Sequence, residues 1–391
     1  YLQACEGDHA LATCMLMSTT TTDEQKTTAS AVPQDDRIRS CLLCEEYDSG
    51  NKKTEYTCQI ATNHPVTTSQ SQHKNKTKKE ATSTTLVLVE HTSLTYADAL
   101  VVLGRSGGAK EYPIIPGTDF AGVCMTDSDL FHVGDRVVAS GGELGRSLDG
   151  GFATVCHCPI STLTLLPSNI STKRAAQMGS AAVTAMSAVM EIELFHRQIK
   201  GKREVLVSGA TGSVGGYAVA ILSNLGYSVT ALTRDAESNR ALLAAIGAHK
   251  AISCNEYLQA CEGDHALASP TYIGIVDTLG RGYLSKFLPY LHRGGIAVTC
   301  GCLAGDTVCL SMIPFIRRGV RLCGIDSRYL TDEERILVWE RLSRDVPESL
   351  YEIDGWSLFS EVKFSQVQAI ASKKLMGGPT GIAVTVDIQQ E

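Results

Sequence analysis

The sequence predicts an α/β protein in which a small antiparallel β-barrel precedes a doubly wound, parallel-sheet domain. Short β-rich runs broken by glycine turns fill residues 39–167, for example residues 85–89 and 135–139. After Ser171, apolar strands alternate with helical stretches, which is the pattern of βαβ units. A strand, a glycine turn and a helix then follow one another directly from Glu204. These three observations predict the fold class.

The bulk composition favours a globular enzyme and excludes several other classes. At 391 residues, the length predicts two or three domains. A net charge of −7 without a basic stripe argues against a nucleic-acid partner. The apolar runs are shorter than the roughly 20 residues of a membrane span, which argues against a membrane protein. Fourteen cysteines are scattered along the chain without a leader, and we expect reduced thiols and a cytoplasmic location.

The N-terminal region is predicted to be a disordered extension over residues 1–37. Residues 1–12, YLQACEGDHALA, recur at 257–268, and two copies without a fixed period do not make a solenoid. The internal copy stands where a helix is expected, so we interpret the terminal copy as a duplication and Met17 as a plausible start. Residues 17–37 are too polar to form a core.

The barrel domain is predicted over residues 38–174, with an inserted polar loop at 67–85. The loop carries four lysines among Gln, Ser and Thr, which is typical of a solvated segment. Cys41 and Cys44 form a CxxC, but they stand in a short apolar run without a second pair of zinc ligands nearby. We therefore predict that this run is a buried strand.

The strand at 204–208 and its glycine turn carry the strongest indication of chemistry. Glycines at such a turn let the backbone approach a pyrophosphate, whose charge meets the positive end of the following helix. Glycine turns also join strands to helices in folds without a cofactor, and that alternative stays open. The predicted cofactor-binding residues of the turn are Gly209, Thr211, Gly212, Ser213, Val214 and Gly215.

The tip of the next strand predicts which dinucleotide binds. The strand at 229–233 ends at Thr233 and is followed by Arg234 and Asp235, at the position where the adenosine ribose should lie. An arginine beside a hydroxyl suits the 2′-phosphate of NADPH, so we predict that NADPH is the cofactor and that Thr233 and Arg234 bind it. A one-residue rotation of the turn would instead present Asp235 to the 2′-hydroxyl of NAD.

Further strands complete a dinucleotide-binding domain over residues 175–326. They are expected at residues 250–253, 273–277, 296–300 and 320–325. Ligands bind beyond the carboxyl ends of the strands in such sheets, so Gly301 is a candidate contact of the cofactor. An ordinary turn is the alternative for this glycine.

The order of parts resembles the medium-chain dehydrogenase/reductase superfamily, and more narrowly its zinc-independent quinone oxidoreductase and acrylyl-CoA reductase branch (YhdH-type). The motifs that carry the resemblance lie at residues 93–100, 112–122, 179–186, 209–216, 277–280, 300–305 and 314–327. The resemblance implies a GroES-like β-barrel catalytic domain, a Rossmann-type domain, and a return of residues 327–391 to the barrel. It also implies a homodimer formed through the edge strand at 320–325.

The resemblance further implies the type of reaction. Zinc-binding relatives carry Gly-His-Glu where this chain has Gly117-Thr118-Asp119, so the catalytic metal ligand is absent and no metal is expected. Without a Lewis acid, alcohol oxidation loses its means of stabilising an alkoxide. Conjugate reduction needs only hydrogen-bond donors for the charge that develops on a carbonyl oxygen.

By resemblance, Tyr96 and its neighbour Thr95 are the predicted catalytic residues, with Tyr96 orienting the substrate or supplying a proton. The alternative is that Tyr96 is a core aromatic. Arg317 and Arg318 are predicted to bind the phosphates of a CoA substrate, or else form a solvated charged face. The remaining predicted contacts of the cofactor are Ser180 and Thr184 beside the nicotinamide, and Asp277 and Leu303.

These residues predict a zinc-independent, NADPH-dependent reductase of an activated C=C bond in a small molecule, with an acryloyl-CoA-type enoyl thioester as the substrate. The branch usually has Asn where Thr95 stands, and a Gly-Arg pair where this chain has residues 377–379. Two alternatives therefore stay open. One is a quinone or enone oxidoreductase without CoA specificity, and the other is a non-catalytic NADPH-binding protein.

Overall fold

A computed structural model describes residues 37–48, 54–65, 83–196, 203–261, 267–353, 358–376 and 381–388. The terminal copy of the repeat, residues 1–36 of the predicted disordered extension and most of the predicted loop at 67–85 lie outside these residues. The extension is predicted one residue too long, because Arg37 begins a strand and pairs with Pro65. The loop prediction is wrong at its end, because a strand begins at Thr84. Thr84 pairs with Pro159, and Thr85 is buried.

The first part of the described chain is mainly antiparallel. Its elements are β1 (Arg37–Asp48), β2 (Thr54–Pro65), β3 (Thr84–Ser93), α1 (Tyr96–Val102), β4 (Asp119–Cys124), β5 (Arg136–Ser140), β6 (Val155–Pro159) and β7 (Leu163–Leu165). Cys41 and Cys44 are buried in β1, as predicted. The expectation of reduced thiols is wrong for Cys44, which is disulfide-bonded and stands opposite Cys58 in the register of the β1–β2 hairpin.

The second part alternates strands and helices and forms a parallel sheet. Its elements are α2 (Thr172–His196), β8 (Glu204–Ser208), α3 (Ser213–Asn224), β9 (Ser228–Thr233), α4 (Ala236–Ala245), β10 (Lys250–Ser253), α5 (Cys254–Ala260), β11 (Tyr272–Asp277), α6 (Arg281–Phe287), β12 (Leu291–Thr299), α7 (Ile313–Arg318) and β13 (Arg321–Gly324). The strand order is β10-β9-β8-β11-β12-β13. It reverses direction at β8, which confirms the doubly wound fold.

The C-terminal elements return to the barrel sheet. They are α8 (Asp332–Asp345), β14 (Phe359–Lys363), α9 (Phe364–Leu375) and β15 (Ala383–Asp387). The sheet order is β14-β15-β3-β4-β5-β7, with β6 also pairing β3. The tail therefore carries α9 against α1, next to the residues that follow β3.

Helix α2 joins the two parts and crosses the predicted boundary at residues 174/175. Its stretch Thr172–Phe195 is long and apolar enough to cross a membrane by length and composition. However, 61% of the most apolar window is buried inside the protein. Ala182, Met186 and Val189 lie in the same core cluster as Val205 and Val207 of β8. Helix α2 is therefore the central helix of a hydrophobic core.

Candidate active site

A cleft of about 440 Å³ opens where α1, β4, α2, α3 and α9 converge. The barrel contributes hydroxyl groups and carboxylates, and the parallel-sheet domain contributes the start of α3. Six of the predicted site residues from three separate stretches of the chain meet here: Thr95, Tyr96, Ser180, Thr184, Ser213 and Val214. The cleft thus joins the predicted catalytic motif to the predicted cofactor turn.

Asp98 organises the barrel side of the cleft. One carboxylate oxygen accepts the N–H groups of Gly117 (3.0 Å) and Thr118 (2.9 Å), and the other accepts the N–H (2.8 Å) and hydroxyl (2.6 Å) of Thr95. Thr95 in turn caps α1 by accepting the N–H of Asp98. This buried network fixes the start of α1, and with it the position of Tyr96.

Asp119 holds the barrel against α2. One of its carboxylate oxygens accepts both the N–H (2.6 Å) and the hydroxyl (2.8 Å) of Ser180, and the other accepts the N–H of Gly141 (2.9 Å). Burial raises the pKa of Asp119 to about 6, and the hydrogen bonds from these donors offset part of the effect of burial. The carboxylate at the position of the missing metal ligand therefore connects three separate segments.

Gly179 makes this connection possible by interrupting α2. Its φ of 47° and ψ of −156° are not helical, so the following residue begins a new helical segment. A Cβ atom at Gly179 would overlap the Asp119 carboxylate. Only glycine allows the close approach that directs the Ser180 N–H at Asp119.

Tyr96 is not a core aromatic. It is 48% exposed and lines the cleft, so this alternative for Tyr96 is wrong. Opposite the barrel, the hydroxyl of Thr184 donates to the Ser180 carbonyl (2.7 Å) and lies 2.6 Å from the hydroxyl of Ser327. The predicted catalytic and nicotinamide-binding hydroxyls thus share one cavity.

The turn between β8 and α3 has the shape that a pyrophosphate requires. Gly209 has a φ of 60°, and Gly212 is the N-cap of α3 without a side chain to occupy the first N–H groups. A Cβ atom at Gly215 would overlap the Gly209 carbonyl oxygen, so this glycine lets the helix pack on the turn. The residues present therefore fit a dinucleotide.

A second pocket lies at the tip of β9 and is lined by Arg234, Asp235, Arg240 and Ser253 among others. The Asp235 carboxylate caps α4 by accepting the Ser238 N–H (3.0 Å), which also lowers its pKa. Because the Asp235 carboxylate already accepts this hydrogen bond, the alternative in which it binds a ribose hydroxyl is less favoured. Arg240 is a second cation that sequence reasoning missed, because it stands one turn into α4.

The predicted residues beyond β11 and β12 do not line the cleft. Asp277 is buried, and its carboxylate accepts the Ser208 hydroxyl (2.9 Å) and the Leu279 N–H (3.0 Å). Burial raises its pKa. Gly301 packs against the Thr278 backbone, and Leu303 is exposed in the loop after β12. Their contact with the cofactor stays a prediction, and Asp277 holds the strand ends together.

Arg317 and Arg318 lie at the end of α7 and are not among the residues that line the cleft. The guanidinium of Arg318 donates to the carbonyls of Pro289 (2.7 Å), Leu291 (3.0 Å) and Ala268. These bonds give Arg318 a structural role. Its predicted contact with CoA phosphates gains no support from this placement.

Three cations to which the sequence assigned no role line the cleft: Arg146, Arg328 and Lys374. Arg146 donates to the carbonyl of Gly107 (2.8 Å), and Arg328 pairs with Asp326 (2.6 Å). No short motif marks these residues, because each reaches the cleft only through tertiary packing. Within the described ranges, no group of three or more His, Cys, Asp or Glu is placed to hold a metal ion.

The comparisons with known proteins agree with this architecture. The alcohol dehydrogenase GroES-like domain family matches residues 81–168. The probable acrylyl-CoA reductase AcuI of Escherichia coli is 36% identical over 265 residues, covering 67% of this chain and 80% of the relative. The putative quinone oxidoreductase YhfP of Bacillus subtilis is 38% identical over 296 residues, covering 75% and 88%. The chain belongs to the medium-chain dehydrogenase/reductase superfamily.

Solved structures place it in the YhdH-type branch of that superfamily, as predicted. The yhdH oxidoreductase of Salmonella enterica in complex with NADP has a TM-score of 0.76 and 30% identity, covering 90% of this chain and 100% of that chain. The B. subtilis yhfP structure has NAD bound, with a TM-score of 0.75 and 30% identity, covering 89% of this chain and 99% of that chain. The prediction of an oxidoreductase is confirmed, and the relatives bind both kinds of dinucleotide.

Proposed function

We propose that this protein is an NADPH-dependent reductase of an activated carbon–carbon double bond, with an acryloyl-CoA-type enoyl thioester as the substrate. The observation that carries the proposal is the single cleft that joins α3 and its glycine turn to the Tyr96 motif. When bound, NADPH supplies a hydride for the β-carbon of the substrate. Relatives named acrylyl-CoA reductase support this substrate class.

Each side of the cleft has its own task in this proposal. The hydroxyl of Tyr96 lines the cleft and makes no hydrogen bond with the rest of the described chain. It is therefore available to donate to the thioester oxygen, where negative charge develops. The hydroxyl of Ser180 is held by Asp119, and that of Thr184 donates to the Ser180 carbonyl. These two residues therefore form a fixed wall that positions the nicotinamide.

Arg234→Ala is expected to raise the KM for NADPH roughly 10- to 100-fold and to leave the KM for NADH unchanged. The reason is that a charged hydrogen bond to phosphate contributes about 1.5–3 kcal/mol, and NADH carries no 2′-phosphate. Steady-state kinetics with both cofactors measure this effect. An equal loss with NADH would contradict the assignment of Arg234 to the 2′-phosphate.

A steady-state comparison of acryloyl-CoA, crotonoyl-CoA and a quinone, each with NADPH and with NADH, tests the substrate class. The proposal predicts NADPH oxidation with acryloyl-CoA and a higher kcat/KM than with the quinone. Turnover of the quinone alone would favour the quinone or enone oxidoreductase. Tight NADPH binding without hydride transfer to any acceptor would favour the non-catalytic protein.

We also propose a homodimer formed through β13. This strand is the edge of the parallel sheet, and Leu322 on it is 39% exposed, with Ile316 of α7 exposed nearby in the chain. Leu322→Arg is expected to produce a monomer in light scattering, because it places a charge in the apolar centre of the interface. Leu322→Met, which keeps an apolar side chain at the same position, is the matched control. A dimer that persists in Leu322→Arg would refute this interface.

The cytoplasmic location of the protein stays a prediction.

A further inference from the structure

Lys374 is a cation in the cleft that the fold does not use. It lies in the last turn of α9, is partly buried, and lines the cavity together with Tyr96 and Ser180. Within the described part of the chain, its ammonium group makes no hydrogen bond or ion pair. A partly buried lysine without a partner is costly to retain for stability alone.

The neighbouring residue shows what a purely structural lysine would look like at this helix end. Lys373 stands in the same last turn, where a cation interacts favourably with the helix dipole, and it is exposed. Lys373 therefore gains the interaction with the helix dipole while its ammonium group stays hydrated. The dipole therefore does not explain why the second lysine points into the cavity wall.

The charged groups that face Lys374 leave its ammonium group without a hydrogen-bond partner. Asp98 of α1 and Asp119 of β4 attract its ammonium group, but their oxygens already accept the bonds from Thr95, Thr118, Ser180 and Gly141. Arg146 and Arg328 line the same cavity from the opposite loops. Burial outweighs the two carboxylates and lowers the pKa of Lys374.

We propose that Lys374 is the proton donor that completes the reduction by protonating the α-carbon of the substrate. The inference rests on the proposed function. When hydride has bonded to the β-carbon, the electron pair of the C=C bond lies on the enolate. An N–H bond of the Lys374 ammonium breaks, a C–H bond forms at the α-carbon, and the neutral amine takes a proton from water. The acyl group is reduced and NADPH is oxidised.

This assignment divides the work between two residues. Tyr96 orients the thioester through its hydroxyl, and no partner in the described chain activates that hydroxyl as an acid. A lysine whose pKa is lowered by burial is a better acid than a free lysine, because general acids work best when their pKa lies near the working pH. Asp98 and Asp119 do not take this role, because both oxygens of each carboxylate already accept hydrogen bonds.

Three variants test the proposal with the full chain. Lys374→Met removes the proton donor, Lys374→Arg keeps a positive charge that does not dissociate, and Lys373→Met removes a charge from the same helix turn. We expect kcat with acryloyl-CoA to fall by about 10²-fold or more in both Lys374 variants and to stay within twofold in Lys373→Met. In D2O, the wild type should place deuterium on one face of the α-carbon, and Lys374→Met on both faces.

A direct titration of the wild-type protein provides a readout that does not depend on turnover or on the folding of a variant. Competitive acetylation across a pH series should give Lys374 a pKa below that of an ordinary lysine. A wild type that reduces none of the acceptors would refute the proposed function, and the role of Lys374 with it. Normal kcat in Lys374→Met, recovery of kcat in Lys374→Arg, or an ordinary pKa for Lys374 would refute the role of Lys374 alone.

Discussion

Gly215→Ala is expected to weaken NADPH binding on the order of 100-fold. The added Cβ atom would overlap the carbonyl oxygen of Gly209 and lie 2.8 Å from its carbonyl carbon. Both contacts are with backbone, so no side chain can rotate away and α3 must move off the glycine turn. Overpacking of this kind costs roughly 1–3 kcal/mol, and the upper part of that range corresponds to about two orders of magnitude in Kd.

The neighbouring glycine provides the control for this prediction. At Gly216, an added Cβ atom would meet the end of the Ile382 side chain at 2.9 Å, and that side chain can change its rotamer. Gly216→Ala should therefore change Kd for NADPH much less than Gly215→Ala, although both substitutions raise helix propensity equally. Fluorescence titration of NADPH gives both values. Equal Kd values for the two variants would show that the turn does not carry the cofactor.

The glycine turn was predictable because its information is local. The strand at 204–208 was placed at the bounds that the structure shows, and the turn follows it without a gap. All six parallel strands were predicted, because each apolar run is contained within a few residues, although β12 begins at Leu291, five residues before the predicted start. Periodicity therefore sufficed for the Rossmann-type half of the fold. The assignment of NADPH to Thr233 and Arg234 rests on residue type instead, and it stays a prediction.

Roles that depend on contacts between distant segments of the chain could not be predicted in this way. Asp119 reaches Ser180 across 61 positions of sequence, and this contact depends on the helix break at Gly179. Lys374 comes from a helix that returns to the barrel after the whole parallel sheet. The sequence shows the charge of Arg318, which suggested a contact with phosphate. It does not show the carbonyls that accept the hydrogen bonds of Arg318 in the fold. Tertiary packing decides all three roles.

Asp119→Ala is expected to reduce the free energy of unfolding by roughly 3 kcal/mol or more at pH 7.5. The substitution leaves the Ser180 N–H, the Ser180 hydroxyl and the Gly141 N–H without their acceptor, and each unsatisfied buried group costs about 1–3 kcal/mol. Thr118→Ser, which keeps a hydroxyl and every backbone donor, is the matched control. Denaturant unfolding of both variants measures the difference. A loss below about 1 kcal/mol would show that water replaces the carboxylate.

The pH dependence of stability tests whether burial raises the pKa of Asp119. Since burial raises the pKa of Asp119 from 3.8 to about 6, protonation stabilises the folded state. This contribution is fully present below pH 3.8 and is lost as the pH rises through 6. Relative to Asp119→Asn, the wild type should therefore gain about 2 kcal/mol of unfolding free energy between pH 8 and pH 4.5. Because the other titrating groups are common to both proteins, they cancel in the difference, and a flat difference would mean that Asp119 has an ordinary pKa.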